Sequence, residues 1–252
     1  MVIIVLLCLA IIVFLLRYNF FRLPKKGLAV LLYHSVTDKK SFTNLDKFSI
    51  SLEQFEKQIK FLKKMGYESV RTENIDEILT GELYKTKKYV LITFDDGYKN
   101  NLDAAKILKK YNFSAIFFIA TNYIGKSLDN TPMLDENDIK HLISLGMQIG
   151  SHSHFHTKLS ELSQKDIMEN IKLSKNILSK FLDVVDFAYP FGNYNSSVID
   201  TLKSLNFKRA YIIGQSINTK NYNPYLMTRS IIRKSTNYLD LYLILTRGRS
   251  RI

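Results

Sequence analysis

The chain has 252 residues, with 36 Lys and Arg against 23 Asp and Glu, five His and a single Cys. A hydrophobic content of 46% with 23% charged residues is enough for one ordinary domain with a sizeable core, and it excludes a globally disordered chain. The net charge of +13 is scattered, without an Arg-rich stripe or stacking motif. That excludes nucleic acid as the expected partner and leaves anionic lipid or acidic wall polymer as counterparts.

Val2 to Leu16 is an unbroken run of fifteen apolar residues, followed by Arg17, Tyr18, Phe20 and Phe21. Such a run is short for a span of about 20 residues. Arg17 can snorkel and the aromatic residues suit the membrane interface, so an N-terminal transmembrane helix is expected. A cleavable signal peptide would show a basic start and a small-x-small cleavage site, and neither is present. The expected organisation is an anchor over 1–22 and one domain over 23–252. Cys8 lies in the apolar run, so neither an intrachain disulfide nor a Cys-based zinc site can form. Arg17, Arg22, Lys25 and Lys26 follow the run, and the positive-inside tendency would place that flank in the cytoplasm.

Beyond the anchor, short apolar runs alternate with segments of helical period. Strands are expected at 28–33, 89–94, 115–120, 147–150, 185–189, 209–213 and 226–232, with a further short one near 68–70. Helices are expected at 51–65, 72–80, 98–111, 135–145, 163–181, 196–205 and 236–246. In the first of these Leu52, Phe55, Ile59 and Phe61/Leu62 form one stripe. Ser51 and Ser163 suit N-caps, and Gly66 and Gly146 stand where helices should end. Seven or eight strands alternating with helices imply an α/β fold, a distorted parallel (β/α) barrel. Functional side chains should then lie at the carboxyl ends of the strands.

Four motifs meet that condition. Thr93-Phe94-Asp95-Asp96-Gly97-Tyr98 follows an apolar strand, and two adjacent carboxylates need a cation or a shared proton. His152-Ser153-His154-Phe155-His156 holds three of the five histidines, and imidazoles with a carboxylate suit zinc, nickel or cobalt while leaving positions open for water. Ala188-Tyr189-Pro190-Phe191-Gly192-Asn193 suits a wall that stacks on sugar faces and presents backbone N–H groups, and His34 ends the first strand.

Together these residues resemble the polysaccharide deacetylase family, carbohydrate esterase family 4, over roughly residues 28 to 232. TFDDG is intact at 93–97, and His152 to His156 matches the family's H-[S/T]-x-x-H. The resemblance implies Asp95 as general base and Asp96, His152 and His156 as ligands of a divalent metal, expected to be Zn, with Co or Ni as alternatives. His154 would have a supporting role. Tyr189, Pro190, Phe191 and Gly192 would line the substrate and oxyanion site. Two departures stand out: Ala188 occupies the position of the family's third-motif arginine, and no histidine follows His156. Both look like the branch of bacterial poly-N-acetylglucosamine deacetylases, which implies His34 as the general acid. Arg229 is the expected substitute for the missing arginine. The implied activity is removal of N-acetyl groups from a cell-surface polysaccharide. Peptidoglycan, chitin-like oligomers and an inactive carbohydrate-binding relic are the alternatives. That chemistry requires the domain on the extracytoplasmic side of the cell membrane, against the charge rule.

Overall fold

The computed structural model describes residues 2–18, 20–39 and 44–250; Met1 and Asn19 of the expected anchor, and 40–43 and 251–252 of the expected domain, lie outside them. The elements, in chain order, are α1 (Val2–Arg17), β1 (Ala29–Tyr33), α2 (Leu52–Lys64), β2 (Tyr67–Ser69), α3 (Ile75–Thr80), β3 (Lys88–Phe94), α4 (Asn101–Tyr111) and β4 (Ile116–Ile119). A two-stranded hairpin, β5 (Ser127–Leu128) and β6 (Thr131–Pro132), precedes α5 (Glu136–Ser144), β7 (Gln148–Ser151), α6 (Gln164–Leu178), β8 (Asp186–Ala188), α7 (Ser196–Ser204), β9 (Arg209–Ile213), β10 (Met227–Ile231) and α8 (Tyr238–Arg247).

Seven parallel strands close a ring in the order β1, β10, β9, β8, β7, β4, β3, with β3 returning to β1. β2 adds to β3 as an extra strand outside the ring. Alternation along each strand sends one residue inward and the next toward the helices. Val30, Leu91, Ile116, Phe118, Ala188, Tyr211 and Met227 form the inner cluster. Their neighbours Leu31, Ile92, Phe117 and Phe187 pack outward with Phe55, Ile59 and Leu62 of α2 and Ile167 and Ile171 of α6. Ser51 and Ser163 cap α2 and α6 as expected, and Gly66 and Gly146 take the left-handed conformation just past the ends of α2 and α5.

All eight expected strands form, within a residue or two of their expected limits. The expected helix at 72–80 begins as a 3-10 turn, Thr72–Asn74, before α3. The helix expected from residue 98 starts only at Asn101. The apolar N-terminal run does form a helix, α1, of 16 residues with no buried member. No helix among the described residues is long and apolar enough to cross a membrane.

The amino-terminal end of the barrel is plugged by a polar cluster. The Tyr211 hydroxyl donates to Asp186 at 3.0 Å, and Arg209 pairs with Asp76 at 2.7 Å. Burial pushes the Asp186 carboxyl up to about 6, against the pull of the Arg209 charge. The folded protein therefore holds a proton up to about pH 6 that the unfolded chain releases near 3.8. Stability should fall as pH rises through that window. Asp186→Asn should remove this slope, roughly 1–3 kcal/mol across the window, in urea melts at about pH 4 and about pH 6.5. An unchanged slope would mean that Asp186 is ionised throughout.

Candidate active site

At the carboxyl ends of the strands the inward positions turn from apolar to ionisable. Along β3 the alternation Leu91, Thr93, Asp95 carries the Asp95 carboxylate into the mouth of the barrel. Gly150 in β7 and His152 just after it follow the same parity, and Met227 and Arg229 follow it on β10. Gly150 has no room for a side chain, because a Cβ there would lie 2.3 Å from the Phe118 ring. Asp96 adopts φ 72° and Gly97 φ 90°, so the chain turns sharply and brings a second carboxylate beside the first. A left-handed aspartate is uncommon, and such backbone is found preferentially at functional sites.

The Asp96 Oδ1 atom lies 3.4 Å from His152 Nε2 and 3.1 Å from His156 Nε2. One ligand atom from each of the three residues falls within 4.8 Å of the others. The His152 Nδ1 lies 2.8 Å from the Ala188 carbonyl, which fixes Nδ1 as the protonated nitrogen and leaves the Nε2 lone pair facing Asp96. Two imidazole nitrogens and one carboxylate oxygen converging on a common point could hold a divalent transition metal. The loop that carries them is held by its own side chains. Ser153 Oγ accepts from the His156 N–H at 3.1 Å, and Asn170 of α6 accepts from the His154 and Phe155 N–H groups at 2.7 and 3.3 Å. The His154 ring turns aside to Thr121 Oγ1, 2.9 Å away, and so supports the loop from outside the metal-ligand set.

Asp95 is held differently. Arg229, with 0% of its surface exposed, reaches it with two parallel hydrogen bonds, Nη1 to Oδ1 at 2.6 Å and Nη2 to Oδ2 at 2.8 Å. The guanidinium rests 5.4 Å above the Phe118 ring and 3.5 Å from Thr93 Oγ1. Burial alone would raise the Asp95 pKa, but the Arg229 charge, with His152 and the paired hydrogen bonds, holds it below the ordinary carboxylate value. Asp96, also buried, is driven well below that value, first by hydrogen bonds from His152 and His156. The His34 ring stacks on Phe48 at 5.2 Å and lies within electrostatic reach of both carboxylates. Its pKa is lowered, with burial outweighing those two negative charges.

The structure thus brings Asp95, Asp96, His152, His156 and Arg229 into one cluster with His34 at its edge. The expected substrate wall needs a correction. Tyr189 is fully buried, with its hydroxyl bound to the Tyr225 carbonyl at 3.0 Å, and Pro190 is buried with it. An aromatic residue at a strand end is buried against the helices when its parity points to that layer, as Tyr189 is beside Phe187. The exposed wall reduces to Phe191, 57% exposed and 4.7 Å from the His156 ring, with Gly192 beside it. Both have positive φ. Sequence reasoning missed Asn170 and the Ala188 carbonyl. Asn170 was detectable only as a polar residue on the buried stripe of α6, and a carbonyl has no signature in sequence.

The polysaccharide deacetylase family profile matches residues 83–210, half of the chain. The chain belongs to this family. This polysaccharide deacetylase is 28% identical over 207 residues to the putative polysaccharide deacetylase YxkH of Bacillus subtilis, covering 80% of this chain and 70% of that protein. It is 29% identical over 213 residues to the poly-beta-1,6-N-acetyl-D-glucosamine N-deacetylase of Staphylococcus aureus, covering 76% and 70%. The structure of IcaB from Ammonifex degensii matches the fold with a TM-score of 0.77 at 23% identity, covering 89% of this chain and 97% of that one. The deacetylase is accordingly a hydrolase with a closed seven-stranded barrel.

Breaking the buried pair from one side should be costly. Arg229→Met strands the Asp95 carboxylate and should destabilise the protein by about 3–5 kcal/mol in chemical denaturation. Asp95→Asn with Arg229→Met should recover part of that loss. A double variant no more stable than the single one would show that the pair is not coupled.

Proposed function

We propose that this deacetylase removes N-acetyl groups from a poly-N-acetylglucosamine-like polymer at the cell surface, in a metal-dependent hydrolysis. The observation that carries the reading is a base candidate and a metal-ligand set side by side. Asp95, fixed by Arg229, lies 3.8 Å from His152 Nε2, which shares the Asp96–His156 cluster. The polymer is the one that the Staphylococcus aureus relative deacetylates.

In this reading Asp96, His152 and His156 hold a divalent cation, zinc by preference and cobalt or nickel otherwise. The cation supplies an acidified water and a Lewis acid for the acetyl carbonyl. Asp95 accepts the water proton as the oxygen bonds to the acetyl carbon, and Arg229 keeps that carboxylate ionised and correctly aimed. The backbone at Phe191 and Gly192 borders the oxygen that becomes negative. His34 gives a proton to the nitrogen as the C–N bond breaks, leaving acetate and a free amine. His34 donates only from its protonated form, which the two carboxylates favour and burial opposes.

Localisation is part of the proposal. Helix α1 measures about 24 Å at 1.5 Å per residue, against about 30 Å of hydrocarbon. Arg17, Tyr18, Phe20 and Phe21 would extend it at the interface, making it a single-pass anchor with the catalytic domain outside.

The purified full chain should release acetate from β-1,6-linked N-acetylglucosamine oligomers. Chelation should abolish release, and added zinc, cobalt or nickel should restore it. Release that survives exhaustive chelation would refute metal dependence, and release from peptidoglycan fragments alone would refute the polymer. Asp95→Asn should keep the metal content and lose about 10²-fold or more in kcat. Ordinary turnover in that variant would remove Asp95 as the base.

A further inference from the structure

His34 differs from the neighbouring histidines in how its ring is held. His152 Nδ1 lies 2.8 Å from the Ala188 carbonyl, and His154 Nδ1 lies 2.9 Å from Thr121 Oγ1. The His34 Nδ1 is enclosed and has no hydrogen-bond partner. A histidine that must present one nitrogen is usually aimed by a hydrogen bond at the other, so an unpaired buried Nδ1 calls for a different device. The device is a ring. Phe48 stacks on the imidazole with 5.2 Å between centroids and 28° between planes. Stacking of this kind sets the tilt of the imidazole. With Nδ1 covered, Nε2 is the nitrogen left to face the site.

Phe48 is itself clamped from two directions. The Ile50 N–H donates to the Ser35 carbonyl at 3.1 Å and the Thr37 N–H to the Ile50 carbonyl at 2.8 Å. These bonds tie the Phe48 turn to the chain that leaves β1, directly beyond His34. From the other direction, the Lys234 N–H donates to the Lys47 carbonyl at 3.1 Å, and the Lys234 ammonium pairs with Asp46 at 3.0 Å. The Arg233 guanidinium lies 5.8 Å from the centre of the Phe48 ring, within cation–π range. Arg233 and Lys234 stand just past the end of β10, the strand that carries Arg229.

We infer that Phe48 is a positioning residue for the proton donor, its face holding His34 so that Nε2 meets the departing nitrogen. Arg233 and Lys234 set Phe48 as Arg229 sets Asp95. One strand and its extension therefore align both the group that accepts a proton and the group that gives one. The assignment rests on the reading of His34 as general acid.

The test compares two acetyl donors on the zinc-loaded full chain: β-1,6-linked N-acetylglucosamine oligomers, which are amides, and p-nitrophenyl acetate, an activated ester. The amide nitrogen needs a proton from His34 as its C–N bond breaks, whereas the ester departs as a phenolate and needs none. Phe48→Leu keeps the bulk and removes the flat face. It should lower kcat on the oligomers by about 10- to 100-fold, the cost of a misplaced donor, with KM, metal content and ester turnover within about 2-fold of wild type. Phe48→Tyr restores the face and should restore most of the oligomer turnover. His34→Ala removes the donor outright and should show the same amide-selective loss, at least as large. If Phe48→Leu loses both donors equally, or turns over the oligomers like wild type, Phe48 is ordinary packing and the assignment is wrong. If His34→Ala loses both donors alike, or neither, His34 is not the acid and the functional reading fails at that residue.

Discussion

The site depends on keeping two adjacent carboxylates ionised in a buried place. Asp95 and Asp96 are both almost wholly enclosed, and carboxylates so close together would ordinarily share a proton. The fold separates their fates by giving each its own positive or hydrogen-bonding partner. Asp95 faces the planar fork of Arg229, and Asp96 faces two imidazole edges. The separation is geometric, because the left-handed turn at Asp96 and Gly97 points consecutive side chains at different partners. An arginine suits the first role better than a lysine would. Its two parallel bonds fix the carboxylate plane as well as its charge.

The layers of the barrel explain how such a charge is tolerated. Below Arg229 lies an apolar tier containing Phe118, Tyr211, Leu91 and Met227, and the guanidinium rests on the Phe118 face. Below that tier, Asp186, Arg209 and Asp76 form the second polar cluster. The apolar tier insulates one from the other, so the lower cluster can hold a carboxyl with a raised pKa while the upper one holds two with lowered values. Desolvation is common to both, and the partners decide the sign.

Much of this was legible in sequence because the signals were local. The apolar runs that became β1, β3, β4 and β9 are long enough to be recognised, and TFDDG and the histidine cluster sit at strand ends where a barrel puts its chemistry. The hairpin β5–β6 was not legible, since two-residue strands carry no period. Arg229 could be suspected only through its family resemblance. Its inward parity with Met227 becomes decisive once β10 is known to close the ring onto β1. Tyr189 shows the opposite failure: composition suggested a sugar-stacking surface, but strand parity buried the ring. Residue type announces chemistry, whereas the direction of a side chain is settled by register.

Ring closure has a consequence for how the protein is made. The residue that holds Asp95 comes from the last strand of the chain, and that strand lies against the first, where His34 ends the ladder. During synthesis, a polypeptide that has emerged only as far as α7 already contains Asp95, Asp96, His152 and His156 but lacks the cation that keeps Asp95 in place. The buried pair therefore forms only once β10 has joined the ring, and a copy that stops before β10 leaves the Asp95 carboxylate without its partner.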